Sequence, residues 1–266
     1  MMAAVGASPP AAPRPSEVRV KVVAAYSVKG GVGKTSAAVN LAWAASRTHR
    51  TLLWDLDPQG GATYLLQVRP KPKVGAHALV RGKADLADVV RATADKLLDV
   101  VPAHDSYRDL DLELDATKRP ERQLEKLLAS VARRYEVVIL DCPPGMSLLS
   151  ESILLAADVV VMPLAPSPLS MRSLEQVTAM VAAMKRGRPK VLGFLSMVDR
   201  RKTIHRELVE RLPGESKQVL PIVVPFSSIV ERMGVERAPI QTYAPRSMPA
   251  LAYGELWKAV VATLKL

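Results

Sequence analysis

The apolar run Val18–Tyr26 leads straight into Lys29-Gly30-Gly31-Val32-Gly33-Lys34-Thr35-Ser36, and Thr35–Ser46 (TSAAVNLAWAAS) reads as a helix. A strand, a glycine-rich turn and a helix in that order leave few folds open, because a strand feeding a helix this tightly belongs to a βαβ unit. The glycines let the backbone curl so that successive N–H groups converge on phosphates. The helix start adds unpaired N–H groups and the positive end of its dipole. Lys34 would then reach the terminal phosphates of a nucleotide, and the Thr35 hydroxyl would hold Mg²⁺. A bare turn with a chance Gly-Lys-Thr string is the alternative, and the flanking strand and helix argue against it. Lys29 is the unusual residue. A loop served by Lys34 needs no second cation for its own nucleotide, unless that cation is meant for a neighbour's.

Beyond this unit, apolar runs alternate with helix-like segments. Strands are predicted at Val18–Tyr26, Thr51–Asp55, Leu98–Pro102, Glu136–Leu140, Val159–Met162, Val191–Val198 and Val219–Val224. Several are almost continuous Val, Ile and Leu, as parallel strands buried on both faces are. Helices are predicted at Asp85–Thr93, Pro120–Arg134, Leu169–Met184, Thr203–Leu212 and Ala250–Leu264. In Leu169–Met184 the residues Leu174, Val177, Val181 and Met184 share one face, which makes Met184 a core residue. The fold class is α/β, a doubly wound and mostly parallel sheet with helices on both faces.

The 266 residues are enough for a full core, and no repeat or low-complexity linker divides them. We expect one domain, 18–266, behind a disordered Ala/Pro-rich tail, 1–17. A start codon placed too far upstream would give the same tail. No apolar stretch approaches the ~18 residues that cross a bilayer. The single cysteine, Cys142, rules out an internal disulfide and fits a reducing cytosol. The four histidines are scattered without ligand spacing.

Net charge is +11, from 37 Lys+Arg against 26 Asp+Glu, which favours polyanionic partners. Aromatic residues make up only 4%, so phosphate contacts to duplex DNA fit better than base stacking on single strands. Two basic clusters stand out. Lys185-Arg186-Gly187-Arg188-Pro189-Lys190 is either a solvated turn that ends a helix with cations or a functional surface. Arg200-Arg201-Lys202, followed by Arg206, is the better nucleic-acid candidate.

Nucleotide hydrolysis needs carboxylates to organise Mg²⁺ and water. Two strands end in them: TLLWDLDPQGG carries Asp55 and Asp57, and YEVVILDCPPG carries Asp141. One such aspartate could be a cap or a turn former. Three at strand ends, beside a phosphate loop, point to a site.

KGGVGKTS, DLDPQGGAT and VVILDCPP, in this order, resemble the ParA/MinD group of ATPases with a deviant Walker A phosphate loop, and ParA more closely. The likeness runs from Val18 almost to the end, through LDVVPA, LLAADVVVMPLAPSPLSMRSLEQV, Met197–Thr203 and the Ala252-Tyr253 helix. It implies ATP and Mg²⁺ as cofactors, and an ATP-dependent sandwich homodimer in which each Lys29 reaches the other subunit's phosphates. Gly30, Gly31, Val32, Gly33, Lys34, Thr35 and Ser36 would hold the nucleotide. Thr35, Asp57 and Asp141 would serve the metal, with Lys29, Lys34, Asp57 and Asp141 catalytic. Within that set Asp57 positions the water, with Asp55 beside it, and Asp141 supports the metal's water shell. Pro225 and Ser227 fall where the family contacts the adenine nucleoside. The family's ATP-bound dimer binds duplex DNA without sequence preference and releases it after hydrolysis, which a ParB-like or other cargo-bound adaptor stimulates. A cytoplasmic, nucleoid-associated protein without a stable membrane anchor follows.

Departures from the pattern are Val28 for the motif's first glycine, Gly61 where asparagine is common, and Phe226-Ser227-Ser228-Ile229 in place of DNA-contacting arginines. Arg201 resembles a DNA-contacting arginine of the family, with Arg200 and Lys202 beside it, and Arg232 is the candidate to replace the missing one. A MinD-like membrane-surface ATPase is the alternative reading. It needs an amphipathic extension, whereas LAYGELWKAVVATLKL looks like the fold's last helix, with Leu256, Val260 and Leu264 facing the core. An enzyme passing phosphate to a metabolite would need a substrate pocket that the sequence does not identify.

Overall fold

Thr51-Leu52-Leu53-Trp54-Asp55 and Val137-Val138-Ile139-Leu140-Asp141 are buried at every position, as strands covered on both faces must be. The computed structural model describes residues 20–70 and 74–266. Its strands are β1 (Lys21–Ala25), β2 (Thr51–Asp55), β3 (Arg91–Ala92), β4 (Leu98–Val101), β5 (Val137–Asp141), β6 (Val159–Leu164), β7 (Lys190–Val198) and β8 (Val219–Pro225). They form an eight-stranded sheet in the order β3-β4-β2-β5-β1-β6-β7-β8. All pairings are parallel except β3 with β4. The sheet is therefore doubly wound around β1, with the earlier strands on one side and β6–β8 on the other.

Side chains alternate across β1: Val22 and Ala24 join one core, Val23 and Ala25 the other. The first core takes Ile153 from helix Leu148–Ala156, Val177 from helix Pro168–Ala183 and Leu208 from helix Thr203–Glu215. The second takes Leu41 from helix Lys34–Ala45, and Tyr253 and Trp257 from helix Met248–Leu264. Leu256, Val260 and Leu264 of that last helix are buried there. Among the described residues, no helix is long and apolar enough to cross a membrane.

The long strands and helices lie within a few residues of their predicted bounds. The first strand spans Lys21–Ala25; Val18, Arg19 and the tail 1–17 lie outside the described residues. The predicted helix Asp85–Thr93 is a single turn, Leu86–Val89, closed by a reciprocal Asp85/Asp88 capping box. Val90 then leaves the helix (φ −58°, ψ 141°), and Arg91 and Ala92 pair with Val100 and Asp99 at the sheet edge. The hydrogen bonds offered by β4 outweigh a weak helix propensity in Val-Val-Arg-Ala-Thr. Pro120–Arg134 also divides, into a 3₁₀ turn at Pro120–Arg122 and a helix at Gln123–Ala129. Met184 is the C-cap residue of its helix and only half-buried against the core, because the chain turns away there.

Candidate functional site

Gly31 (φ 69°) and Gly33 (φ 98°) put the loop after β1 into left-handed conformations that side chains with a Cβ resist. At Gly33 an added Cβ would also stand 2.9 Å from the Ser196 hydroxyl oxygen. Helix Lys34–Ala45 starts immediately afterwards with no side-chain cap on its first N–H groups. These donors and the positive helix end are free to take an anion.

Lys34 is only 6% exposed, and its ammonium donates to the Lys29 carbonyl oxygen at 3.1 Å. Burial holds its pKa below the usual lysine value, and the charge of Asp141 is the largest opposing effect. Lys29 differs. Its side chain is half-buried, and no ion pair or side-chain hydrogen bond engages its ammonium among the described residues.

The strand ends supply the carboxylates. Asp57 lies two residues beyond β2, and its Oδ1 accepts from the Gln59 N–H at 2.9 Å. Asp141, the last residue of β5, is fully buried, and neither carboxylate oxygen has a hydrogen-bond partner within the described structure. Burial first, and the neighbouring Asp55 second, push its carboxyl far above the ordinary aspartate range; the nearby Thr35 hydroxyl opposes them. Such an orphaned carboxyl is costly unless a cation and its water supply the missing partners. Among the described residues no three His, Cys, Asp or Glu side chains converge as a metal cage. A cation here would draw on Thr35 and Asp141, with phosphate oxygens and water completing its shell, as suits Mg²⁺.

A cavity of about 550 Å³ opens beside the loop and brings most of the sequence-predicted residues together. Its walls include Gly30, Gly31, Gly33, Lys34, Thr35 and Ser36, together with Asp57, Pro225 and Ser227. The volume suits a nucleotide. Lys29, Val32 and Asp141 are not on its wall: Val32 is buried, and Asp141 lies beneath it. Asp55 does not reach it either. It is fully buried, and both the Thr63 N–H and hydroxyl donate to its Oδ2 at 2.7 Å. The Thr63 oxygen in turn accepts from the Ala103 N–H. Asp55 thus ties down the far end of the loop that carries Asp57, and it stays within electrostatic reach of Asp57.

Sequence reasoning missed Ser196 and Met197 in β7, and Gln59 and Glu231, all on the cavity wall. Met197 adopts φ 58°, rare for a residue with a Cβ, where the β7–β8 register shifts. Nothing in a Leu-Ser-Met-Val string signals that bend. The Gly61 departure has a local correlate, since an added Cβ would sit 3.0 Å from the Thr35 methyl.

The basic residues Arg200, Arg201 and Lys202 follow β7 at the same end of the sheet and are exposed. Arg201 is 85% exposed and ion-paired with Asp199 at 2.8 Å. This pair holds the Asp199 carboxyl below the usual range. Arg232 is 63% exposed and ion-paired with Glu236. Exposed pairs of this kind are weak and exchange readily for another anion. None of the four lines the nucleotide-sized cavity.

A parallel sheet, a glycine loop feeding a helix, and aspartates closing two neighbouring strands define a P-loop nucleotide-binding protein. An AAA domain family profile matches residues 20–192. The chain is 32% identical over 249 residues to the sporulation initiation inhibitor protein Soj of Bacillus subtilis, covering 91% of this chain and 98% of Soj. It is 35% identical over 213 residues to the chromosome partitioning protein ParA of Myxococcus xanthus, covering 77% of this chain and 75% of that protein. Among solved structures, a Mycobacterium smegmatis cobyrinic acid a,c-diamide synthase with bound ATP analogue and magnesium superposes with a TM-score of 0.75. Its identity is 26%, over 92% of this chain and 96% of the other. The chain belongs to the ParA/MinD family of ATPases.

Proposed function

We propose that this protein is a ParA-like ATPase that closes an ATP-sandwich homodimer, holds duplex DNA without sequence preference, and releases it on hydrolysis to segregate or position a cargo. The observation that carries the reading is the Lys29 ammonium. Among the described residues it has no partner, on a loop whose other lysine already serves the local site. A facing protomer's triphosphate is the partner that such a cation fits.

In this reading the loop N–H groups from Gly30 to Ser36 and the Lys34 ammonium bind the β- and γ-phosphates of ATP. Pro225 and Ser227 line the adenosine end. Thr35 would hold Mg²⁺, with Asp141 and Asp57 supporting its water shell, and the ion would supply charge neutralisation at the phosphates. Asp57, fixed by Gln59, orients the water that attacks the γ-phosphorus as ADP leaves. Arg200, Arg201, Lys202 and Arg232 contact DNA phosphates, and a ParB-like or other cargo-bound adaptor accelerates turnover. We assign residues 18–266 to one ATPase domain, acting in the cytoplasm on the nucleoid.

Binding at a membrane surface, as in the MinD-like alternative, would need an exposed apolar face on the last helix. Leu256, Val260 and Leu264 are buried, and the exposed side carries Met248 and Leu251 only at its start before turning polar at Glu255, Lys258 and Lys265. Asp57→Ala with Mg·ATP tests the whole scheme. The variant should stay dimeric and sediment with DNA but not with anionic vesicles. A monomer that ignores DNA in the presence of ATP would refute it.

A further inference from the structure

The run Lys185-Arg186-Gly187-Arg188-Pro189-Lys190 lies outside the nucleotide site. It joins helix Pro168–Ala183 to β7, and Lys185, Arg186, Arg188 and Lys190 are all exposed. Among the described residues none of the four makes an ion pair, although Glu121 and Glu151 share the groove beside Lys185 and Arg186. The loop is held in place. Gly187 is left-handed (φ 61°), and an added Cβ would meet the Leu155 carbonyl oxygen at 2.8 Å. Arg188 donates to the Met184 carbonyl oxygen at 2.6 Å, which satisfies the helix end with one cation. The other three have no such task. Exposed Lys217 joins them on the same edge, since the Gly193 N–H donates to the carbonyl of the adjacent Gln218.

Lys190 opens β7 and Met197 near its other end lines the nucleotide cavity. At about 3.3 Å per residue, the two edges are roughly 23 Å apart. The loop offers phosphates a set of positive charges but no exposed large apolar side chain to sink into a bilayer: Met184 is half-buried and Pro189 buried. That balance favours the duplex backbone over a membrane.

The geometry points to a second phosphate-binding surface, formed by Lys185, Arg186, Lys190 and Lys217, that holds duplex DNA independently of the nucleotide. It rests on the DNA-binding reading above and deepens it. A protomer that has spent its ATP would lose the dimer's grip on DNA, as proposed above, but keep a weak, salt-sensitive contact with the nucleoid.

The test measures nucleotide-free full-length protein on a short duplex of arbitrary sequence across a salt series. The double variant Lys185→Glu/Arg186→Glu is compared with the unsubstituted chain, with unchanged ATPase rate and melting temperature as the check on folding. We expect nucleotide-free affinity to fall about tenfold or more and the logarithmic salt slope to fall by about 2, with the gain on adding ATP retained. Equal nucleotide-free affinity in both proteins would overturn the inference. So would retention of the unsubstituted chain on phosphatidylglycerol vesicles but not on DNA. Absence of DNA binding with and without ATP would instead bring down the reading on which it rests.

Discussion

Asp55 and Asp141 stand directly opposite each other in the β2–β5 register, both fully buried at the carboxyl ends of their strands. Two carboxyls so placed cannot both ionise cheaply. Burial, opposed by the two Thr63 hydrogen bonds, pushes Asp55 up to about 6. The folded chain therefore holds this proton more tightly than the unfolded chain does. The stability from that proton is complete below about pH 4 and is lost as pH rises through about 6. Asp55→Asn keeps an acceptor for Thr63 and removes the charge. Nucleotide-free Asp55→Asn should be more stable at pH 7.5, by on the order of 1–3 kcal/mol, with a flatter pH dependence between 4 and 6. Urea unfolding at several pH values measures this, and a variant less stable than the parent would contradict the assignment.

Lys34 carries a comparable tension. Its ammonium is buried against the Lys29 carbonyl, and no carboxylate among the described residues lies within ion-pair distance. Without nucleotide its charge is a cost, and with nucleotide it is the counter-charge. Lys34→Ala should lose ATP affinity by about 100-fold or more, two charge-assisted hydrogen bonds' worth, while folding as well as the parent. Titration with a fluorescent ATP analogue, beside a melting curve, separates the two effects. Parent-like affinity would remove Lys34 from the phosphate site.

Gly33 is fixed twice over, by its backbone and by Ser196. Its φ of 98° disfavours any side chain, and a Cβ would collide with the Ser196 hydroxyl 2.9 Å away. Gly33→Ala should cost about 1–3 kcal/mol of stability and turn the loop N–H groups away from their common centre. Adding Ser196→Gly should restore part of the stability but not the nucleotide affinity, because φ remains strained. A single variant that melts and binds like the parent would show the loop to be more pliant than this.

The framework was legible in the sequence where the physics is local or strongly periodic. Val137–Leu140 and Val159–Met162 are continuous apolar runs, the pattern of a parallel strand covered on both faces. Loop glycines and strand-end aspartates were legible because few other residues fit a left-handed turn or a phosphate-facing edge. Illegible were features set by distant partners. Arg91–Ala92 became a strand because β4 had a free edge, and Met197 entered the site through a register shift with β8. The Asp55–Thr63 pairing, eight residues apart, was equally illegible, because nothing in Asp-Leu-Asp-Pro signals it.

Lys29 is the residue whose behaviour a single protomer does not explain. It sits half-buried beside a loop that already has Lys34, and no acid among the described residues neutralises it. If its charge completes a facing protomer's site, removing it should leave each monomer's own phosphate contacts intact. Lys29→Gln should then bind ATP within about threefold of the parent, yet stay monomeric by light scattering and lose the bulk of its turnover. Raising protein concentration should not restore the rate, because the missing cation is absent from every copy. Mixing with a Lys34→Ala chain sharpens the test. In the mixed dimer the Lys34→Ala chain contributes Lys29 to the ATP held by the Lys29→Gln chain, so one complete site forms and part of the activity should return. Activity recovered in the mixture but in neither variant alone requires the cation to cross between protomers. No recovery, with both variants folded, would place Lys29 in service of its own loop.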